Sequence, residues 1–329
     1  MTALQRCAVV GAGSWGTALA LAAARAGREV VLWGRDPAQM RAMAASRRNA
    51  RYLPDAELPP SIRPTADAAA LADADFVLMV TPAQSLRAVA ASLAGALPAR
   101  APVVLCAKGI ERGTGALMSD VAAQALPGRP VAALSGPSFA QDVGAGLPTA
   151  VTLAAEDEGL ARDLAGALGS ASFRLYHASD LLGVELGGAA KNVLAIACGV
   201  TQGRGLGASA NAALIARGFA EMARFARAYG ARAETLMGLS GLGDLVLTCN
   251  STQSRNFSLG VALGQGESVA TADHGKLAEG AATAPVLAEK ARARGVEMPI
   301  AEAVAALLAG RIDVARVIEG LMGRPQKAE

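Results

Sequence analysis

Residues 6–26 read RCAVVGAGSWGTALALAAARA. A short β-branched run ends in a glycine-rich turn, and the turn opens directly into an alanine-rich segment with helical spacing. Gly11, Gly13 and Gly16 give the spacing G-x-G-x-x-G. The first glycine permits a tight turn, the second lets backbone approach a pyrophosphate, and the third lets helix and strand pack closely. Amides at the helix start then face the phosphates. Strand, turn and helix are in register, so the stretch predicts a dinucleotide-binding βα unit rather than a chance glycine pattern.

Working outward, 29–33, 75–80, 103–107 and 131–135 are β-branched or apolar runs that read, with 6–10, as buried parallel strands. Helical patterns at 15–26 and 84–97 lie between them, and strand-like pieces at 149–154 and 172–176 extend the sheet at one edge. From about residue 178 the pattern becomes long helical segments, 180–202, 208–229, 233–238 and 284–294, with QGRGLGASAN (202–211) as a turn between two of them. The predicted fold class is α/β plus all-α. Residues 1–179 form a Rossmann-like, doubly wound, mostly parallel sheet, and 180–329 form an all-helical substrate domain.

At 329 residues the chain is long enough for two domains. A formal net charge of +3 and 3% aromatic residues argue against a nucleic-acid partner. Cys7, Cys106, Cys198 and Cys249 sit in apolar contexts without a CxxC pair and read as inert buried thiols; no disulfide and no metal site is assigned. His177 and His274 stand alone. No window offers about twenty uninterrupted apolar residues, so no transmembrane helix is expected. The start lacks the pattern of a secretory signal, and a cytoplasmic location is the expectation. RRNAR (47–51) reads as solvated surface, and the tail MGRPQKAE as frayed.

The end of the second strand discriminates between nicotinamide cofactors, because an acid there bonds the ribose 2′-hydroxyl whereas an arginine accommodates a 2′-phosphate. The sequence there is LWGRDP (32–37). Arg35 favours NADP(H), and the neighbouring Asp36 leaves some use of NAD(H).

Polar residues interrupt apolar packing in four places. CAKGIE (106–111) puts Lys108 at the C-terminal end of a strand, the edge where open α/β sheets bind ligands. LSGPSFA (134–140) sets Gly136, Ser138 and Ala140 at a helix start, where amides suit a carbonyl or phosphate oxygen. LSGLGDLVLTCNSTQSRNFSLG (239–260) holds Asp244, Thr248, Ser254, Arg255 and Asn256, and an arginine beside an amide suits a phosphate. GGAAKNVLAIACGV (187–200) places Lys191 and Asn192 inside a segment otherwise built for burial, at a desolvation cost.

Taken in order with their spacing, GAGSWGTALA, CAKGIE, LSGPSFA, GGAAKNVLAIACGV, GLGDLVLTC, SRN and LAEGAATA carry a resemblance. The chain resembles the bacterial type of NAD(P)-dependent glycerol-3-phosphate dehydrogenase from Gly11 to about Ala284. The resemblance implies interconversion of dihydroxyacetone phosphate and sn-glycerol 3-phosphate, the latter feeding phospholipid synthesis, by a homodimer. It implies Lys191 as the catalytic acid and base, with Asp244, Asn192, Thr248 and Lys108 around it. Substrate phosphate falls to Arg255 and Asn256, with Gly136, Ser138, Lys108 and Ser254 completing the pocket. Ser14, Trp15, Arg35, Tyr52, Ala140, Leu277 and Glu279 match cofactor-contacting positions, and Lys108 and Arg255 reach the cofactor as well. Leu277 departs from the valine or isoleucine expected there.

The implied chemistry is physically coherent. As hydride arrives, C2 becomes an alkoxide, so a proton donor and positive charge must lie beside that oxygen. Burial and the second cation Lys108 disfavour the charged amine of Lys191, while Asp244 favours it. Two other readings are a β-hydroxyacid or 6-phosphogluconate type of dehydrogenase, and a non-catalytic NADP-binding protein. SRN and CAKGIE weigh against the first, and the joint presence of Lys191, Asp244 and Arg255 against the second.

Overall fold

The computed structural model describes residues 4–275 and 277–322; positions 323–329 of the tail expected to fray lie outside them. In chain order the first part runs β1 (Arg6–Val10), α1 (Ser14–Arg25), β2 (Glu29–Trp33), α2 (Pro37–Ser46), β3 (Arg48–Asn49), β4 (Leu53–Glu57), β5 (Ile62–Thr65), β6 (Phe76–Met79), α3 (Leu86–Leu93), β7 (Val103–Leu105), α4 (Met118–Ala125), β8 (Val131–Ser135), α5 (Ala140–Ala145), β9 (Thr149–Ala155), α6 (Glu158–Leu168) and β10 (Phe173–Ala178). Then come α7 (Leu181–Gly203), α8 (Ala208–Ala228), α9 (Ala233–Met237), a π-helical turn Leu239–Gly243, α10 (Asp244–Thr248), α11 (Arg255–Gly264), α12 (Glu279–Ala293), α13 (Pro299–Leu308) and α14 (Val314–Met322).

Eight strands make one sheet in the order β10-β9-β8-β7-β6-β1-β2-β5. All its pairings are parallel except β8 with β9, where Ala133 faces Ala154. Strand residues alternate between two apolar layers, as a sheet covered on both faces requires. Val9, Phe76, Leu78 and Val104 pack on one side, and Ala8, Val10, Val77 and Val103 on the other. The chain turns to β2 on one flank of β1 and to β6 on the other, so the strand order reverses at the C-terminal end of β1. Ligands of open α/β sheets bind at that reversal, and the glycine turn is located there.

The predicted strands form, with 103–107 shortened to Val103–Leu105. The sequence reading omitted β5 and the small antiparallel pair β3–β4. Ile62–Thr65 carries Pro64 and lies at the sheet edge, where a missing ladder N–H is tolerated. RRNAR is less solvated than expected. The Arg47 guanidinium donates to the carbonyls of Leu58, Pro59 and Ile62, and Asn49 is fully buried.

Chain contacts divide the molecule into two compact units, Met1–Lys108 with Ala116–Glu185, and Gly109–Gly115 with Leu186–Glu329. Helix α7 is long and apolar enough to cross a membrane, yet 89% of its most apolar 18-residue window is buried in protein. In the second unit α7 and α11 meet backbone to backbone. A Cβ on Gly199 would stand 2.1 Å from the Phe257 carbonyl oxygen, and one on Gly260 2.1 Å from that of Ile196. Gly203 and Gly264 repeat the contact one turn later. Elsewhere in this unit the buried Glu221 carboxylate accepts from the Ile300 and Ala301 amides and caps α13, whose first residue is Pro299.

Candidate active site

The glycine turn has the steric profile its spacing predicts. Gly11 has φ of +118°, and a Cβ there would lie 2.6 Å from the Val80 carbonyl oxygen. A Cβ on Gly16 would overlap the Gly11 carbonyl, at 1.7 Å, whereas one on Gly13 would meet nothing within 4 Å. Gly11 and Gly16 are therefore required by the protein's own packing, and Gly13 fronts open space. Ser14 opens α1 and donates through Oγ to the Tyr52 carbonyl at 2.9 Å. Trp15 is half-buried and packs on the sheet's apolar layer, and Tyr52 is exposed with the Arg51 guanidinium 5.1 Å from its ring centroid.

At the end of β2, a Cβ on Gly34 would stand 2.4 Å from the Met40 sulfur and 3.0 Å from the Ala12 Cβ. An added side chain there would have to displace the Met40 thioether. Arg35 is exposed, and Asp36 is the N-cap of α2, its Oδ1 accepting from the Ala38 and Gln39 amides at 2.9 and 3.3 Å.

Further along the same edge, Lys108 Nζ donates to the Gly136 carbonyl at 3.2 Å, and Ser138 Oγ donates to the same oxygen at 3.0 Å. Gly136 has φ of +150°, and Val151 Cα would sit 2.8 Å from an added Cβ. The backbone is thus pinned against β9 while two polar side chains gather beside it. Ala140 is the first residue of α5.

In the helical unit the central group is Lys191. Its Nζ donates to Asp244 Oδ1 at 2.6 Å and to Thr248 Oγ1 at 2.8 Å, and the three residues are 6%, 1% and 4% exposed. Local structure explains the meeting. A Cβ on Gly187, one turn before Lys191, would come 3.2 Å from the Ser240 carbonyl, so the π-helical turn lies against α7. That turn ends at Gly243, and Asp244 and Thr248 then share one face of α10 at i, i+4 spacing. An ammonium held at this distance by a carboxylate and a hydroxyl is oriented and charge-assisted, and such a nitrogen can give up or take a proton.

A second polar chain runs beside it. Asn256 Nδ2 donates to Asn192 Oδ1 at 2.9 Å, and its Oδ1 accepts from the Gly280 amide at 2.8 Å. This links α7, α11 and the first turn of α12, which Glu279 begins. A Cβ on Gly280 would lie 2.4 Å from the Asn192 carbonyl oxygen, so only glycine permits the approach. Ser254 caps α11 by accepting from the Phe257 amide at 3.2 Å, and Arg255 follows at the first helical position with its side chain exposed. Exposed guanidinium and helix N-terminus together present an anion-binding surface. Leu277 is 44% exposed just before α12.

The structure thus gathers Lys191, Asn192, Asp244, Thr248, Asn256 and Glu279 in the helical unit. The glycine turn, Tyr52, Arg35, Lys108, Gly136, Ser138 and Ala140 lie in the sheet unit. Sequence reasoning missed Thr17, Gln39 and Asn49, which hold the glycine turn from beneath. It also left unlinked Cys198 and Cys249, whose hydrogen bond, with burial, raises the Cys249 thiol well above its ordinary range. The signal for Asn49 was an amide flanked by arginines, which composition alone assigns to the surface.

Known proteins share the sequence and the fold of this chain. The sequence profile of the NAD-dependent glycerol-3-phosphate dehydrogenase N-terminus matches residues 6–161, and that of the C-terminus matches 180–319. The chain is 61% identical over 329 residues to a glycerol-3-phosphate dehydrogenase [NAD(P)+] of Azorhizobium caulinodans, covering 100% of both chains. With the Methylobacterium radiotolerans protein of the same name it shares 62% over 322 residues, covering 98% and 97%. The crystal structure of glycerol-3-phosphate dehydrogenase from Coxiella burnetii superposes with a TM-score of 0.92 at 39% identity, covering 97% of this chain and 99% of that one. With profiles matching both halves and full-length relatives at this identity, the chain belongs to the NAD-dependent glycerol-3-phosphate dehydrogenase family.

Proposed function

We propose that the protein interconverts dihydroxyacetone phosphate and sn-glycerol 3-phosphate with a nicotinamide cofactor, Lys191 moving the proton at the C2 oxygen. The observation that carries this reading is the buried Lys191–Asp244–Thr248 cluster. A lysine kept from water has a function when charge develops beside it, as it does on an oxygen receiving hydride at its carbon. In reduction, Nζ gives its proton to the C2 oxygen; in oxidation it takes the proton back. Asp244 stabilises the ammonium between the two, and Thr248 fixes the direction of the amine. Asn192, held by Asn256, is positioned one residue along to orient the substrate.

Residues 1–179 are proposed as the cofactor-binding domain and 180–329 as the substrate domain. The open face of Gly13 and the tight packing of Gly11 and Gly16 fit a dinucleotide pyrophosphate. Bound there, the cofactor supplies or accepts the hydride. Ser14, Trp15, Tyr52, Ala140, Leu277 and Glu279 are proposed to line its path. NADP(H) is favoured because position 34 carries no acid, Asp36 is engaged as a helix cap, and Arg35 remains exposed for a 2′-phosphate. Substrate phosphate is assigned to Arg255 and the α11 N-terminus with Ser254 and Asn256, together with Lys108, Gly136 and Ser138. A cytoplasmic homodimer supplying phospholipid synthesis completes the proposal and rests on the family resemblance.

Purified protein mixed with NADPH and dihydroxyacetone phosphate, followed at the nicotinamide absorbance band, tests the reading directly. Oxidation of NADPH is expected, and no turnover at high protein concentration overturns it. Preference for phosphate-free hydroxyacid partners would favour the β-hydroxyacid type instead. Arg255→Ala is expected to raise the KM for dihydroxyacetone phosphate roughly ten- to hundredfold, the loss of a charged hydrogen-bond partner. An unchanged KM removes Arg255 from the phosphate site.

A further inference from the structure

Asn49 is 0% exposed, and its side chain is spent in an unusual way. Nδ2 donates to the Ala12 carbonyl at 3.1 Å and to Thr17 Oγ1 at 2.7 Å, while Oδ1 is buried with no hydrogen-bond partner. An unmet buried acceptor carries the uncompensated penalty of leaving water. An apolar residue would avoid that cost if packing were the only requirement, so the donor half of the amide must matter more than the acceptor half.

What it donates to is the glycine turn. The Ala12 carbonyl receives a second donor, Gln39 Nε2, at 3.2 Å. Thr17, fully buried on the first turn and a half of α1, donates through Oγ1 to the Gly13 carbonyl at 2.9 Å. The same pair β3–β4 that carries Asn49 leads through Tyr52, whose carbonyl accepts from Ser14 Oγ at 2.9 Å. Carbonyls of the turn are thus gripped from the protein side at Ala12 and Gly13.

In a trans peptide the carbonyl of one residue and the N–H of the next point in opposite directions. Holding the Ala12 carbonyl inward therefore turns the Gly13 N–H the opposite way, and the space where a Gly13 side chain would stand is open. We infer that Asn49 is a positioning residue for cofactor binding: through the Ala12 carbonyl, and with Gln39, it aims the Gly13 amide at the cofactor pyrophosphate. The inference rests on the dinucleotide reading of the turn. It also explains the choice of an amide, since a carboxylate at position 49 would set an anionic acceptor against the Ala12 carbonyl and drive that peptide to flip.

The test compares two ligands by calorimetric titration of the full-length protein. NADPH carries the pyrophosphate, and adenosine 2′-monophosphate presents the adenine, ribose and 2′-phosphate without it. Asn49→Ala and Asn49→Asp are expected to weaken NADPH by ~10-fold or more while leaving adenosine 2′-monophosphate within about twofold, a loss confined to the pyrophosphate. Equal losses for both ligands would show a purely structural residue, and an unchanged NADPH affinity would show none; either overturns the inference. Gln39→Ala, on the half-buried side of α2, is the milder companion should the Asn49 variants fail to fold. It is expected to reproduce the selective loss at about threefold, for removal of one of two neutral donors, and an unaltered ligand ratio in it also overturns the inference. Failure of the unsubstituted protein to bind NADPH would instead remove the dinucleotide reading, and the role of Asn49 with it.

Discussion

Asp244 Oδ1 stands 2.6 Å from Lys191 Nζ, with both side chains almost wholly withdrawn from water. Breaking such a pair from one side leaves an uncompensated buried charge, at about 3–5 kcal/mol. Asp244→Asn keeps the shape and removes the charge, so it is expected to lower both kcat and thermal stability. Lys191→Ala is expected to lower kcat by roughly 10²- to 10⁴-fold, the usual contribution of a general acid or base. Fluorescence titration should find its NADPH affinity nearly intact. Equal losses of turnover and cofactor binding would identify Lys191 as a structural residue.

The glycines of α7 make a different prediction. Gly199 and Gly203 make room for α11, and Gly187 for the π-helical turn. Gly199→Ala would set a methyl 2.1 Å from a backbone oxygen and 2.8 Å from Gly260 Cα, so the helices must part. Overpacking of this kind costs about 1–3 kcal/mol. It would also move Arg255, on α11, relative to Lys191, on α7. The expected result is a lowered Tm and a kcat/KM reduced beyond the loss of folded protein. A variant with a lowered Tm and unchanged kinetics would separate the helix contact from the site.

Legibility followed the length of the periodic signal. The central strands were readable because a strand buried on both faces is a continuous apolar run, and the glycine turn because its spacing is tied to the strand before it and the helix after it. Lys191 and Asn192 stood out against the apolar helix that carries them. The pair β3–β4 and the edge strand β5 were not readable, since two to five residues with proline and arginine carry no usable period. Helices α10 and α11 were hidden by the glycines flanking them, although Ser254 three residues before Phe257 was a visible cap. What Gly199 meets is a tertiary fact. Gly13 is marked by its place in G-x-G-x-x-G, whereas Gly199 stands in no glycine motif and only the distances show α11 against it.

Burial gives the cysteines a simple chemical signature. All four are buried; burial raises the Cys7 thiol well above its ordinary range and pushes Cys106 up to about 12, and Cys249 is raised by its bond with Cys198. The thiolate is the reacting species, so native protein is expected to give almost no thiol colour with an aromatic disulfide reagent at neutral pH. Unfolding in guanidinium under non-reducing conditions should release all four thiols of the sequence. Rapid native labelling of any one would contradict the packing described around it.

Glu185, near the start of α7, provides the pH-dependent case. Its carboxylate accepts from the Ser119 amide at 2.8 Å and from Ser119 Oγ at 2.5 Å, which ties α7 to the first turn of α4. Burial outweighs these bonds and pushes the carboxyl up from its ordinary 4.5 to about 7. The folded state then holds a proton that the unfolded chain releases above its lower value. Stability from this group is therefore present below about pH 4.5, declines as pH rises, and is fully lost above about 7. The shift corresponds to a loss on the order of 3 kcal/mol between those limits. Glu185→Gln imitates the protonated form, since its amide can donate to Ser119 Oγ while its oxygen accepts from the Ser119 amide. Thermal unfolding of the two proteins should give closely similar Tm values in acid and a higher Tm for Glu185→Gln at mildly alkaline pH. A gap that stays constant across that range would mean that the Glu185 carboxyl is not the group titrating.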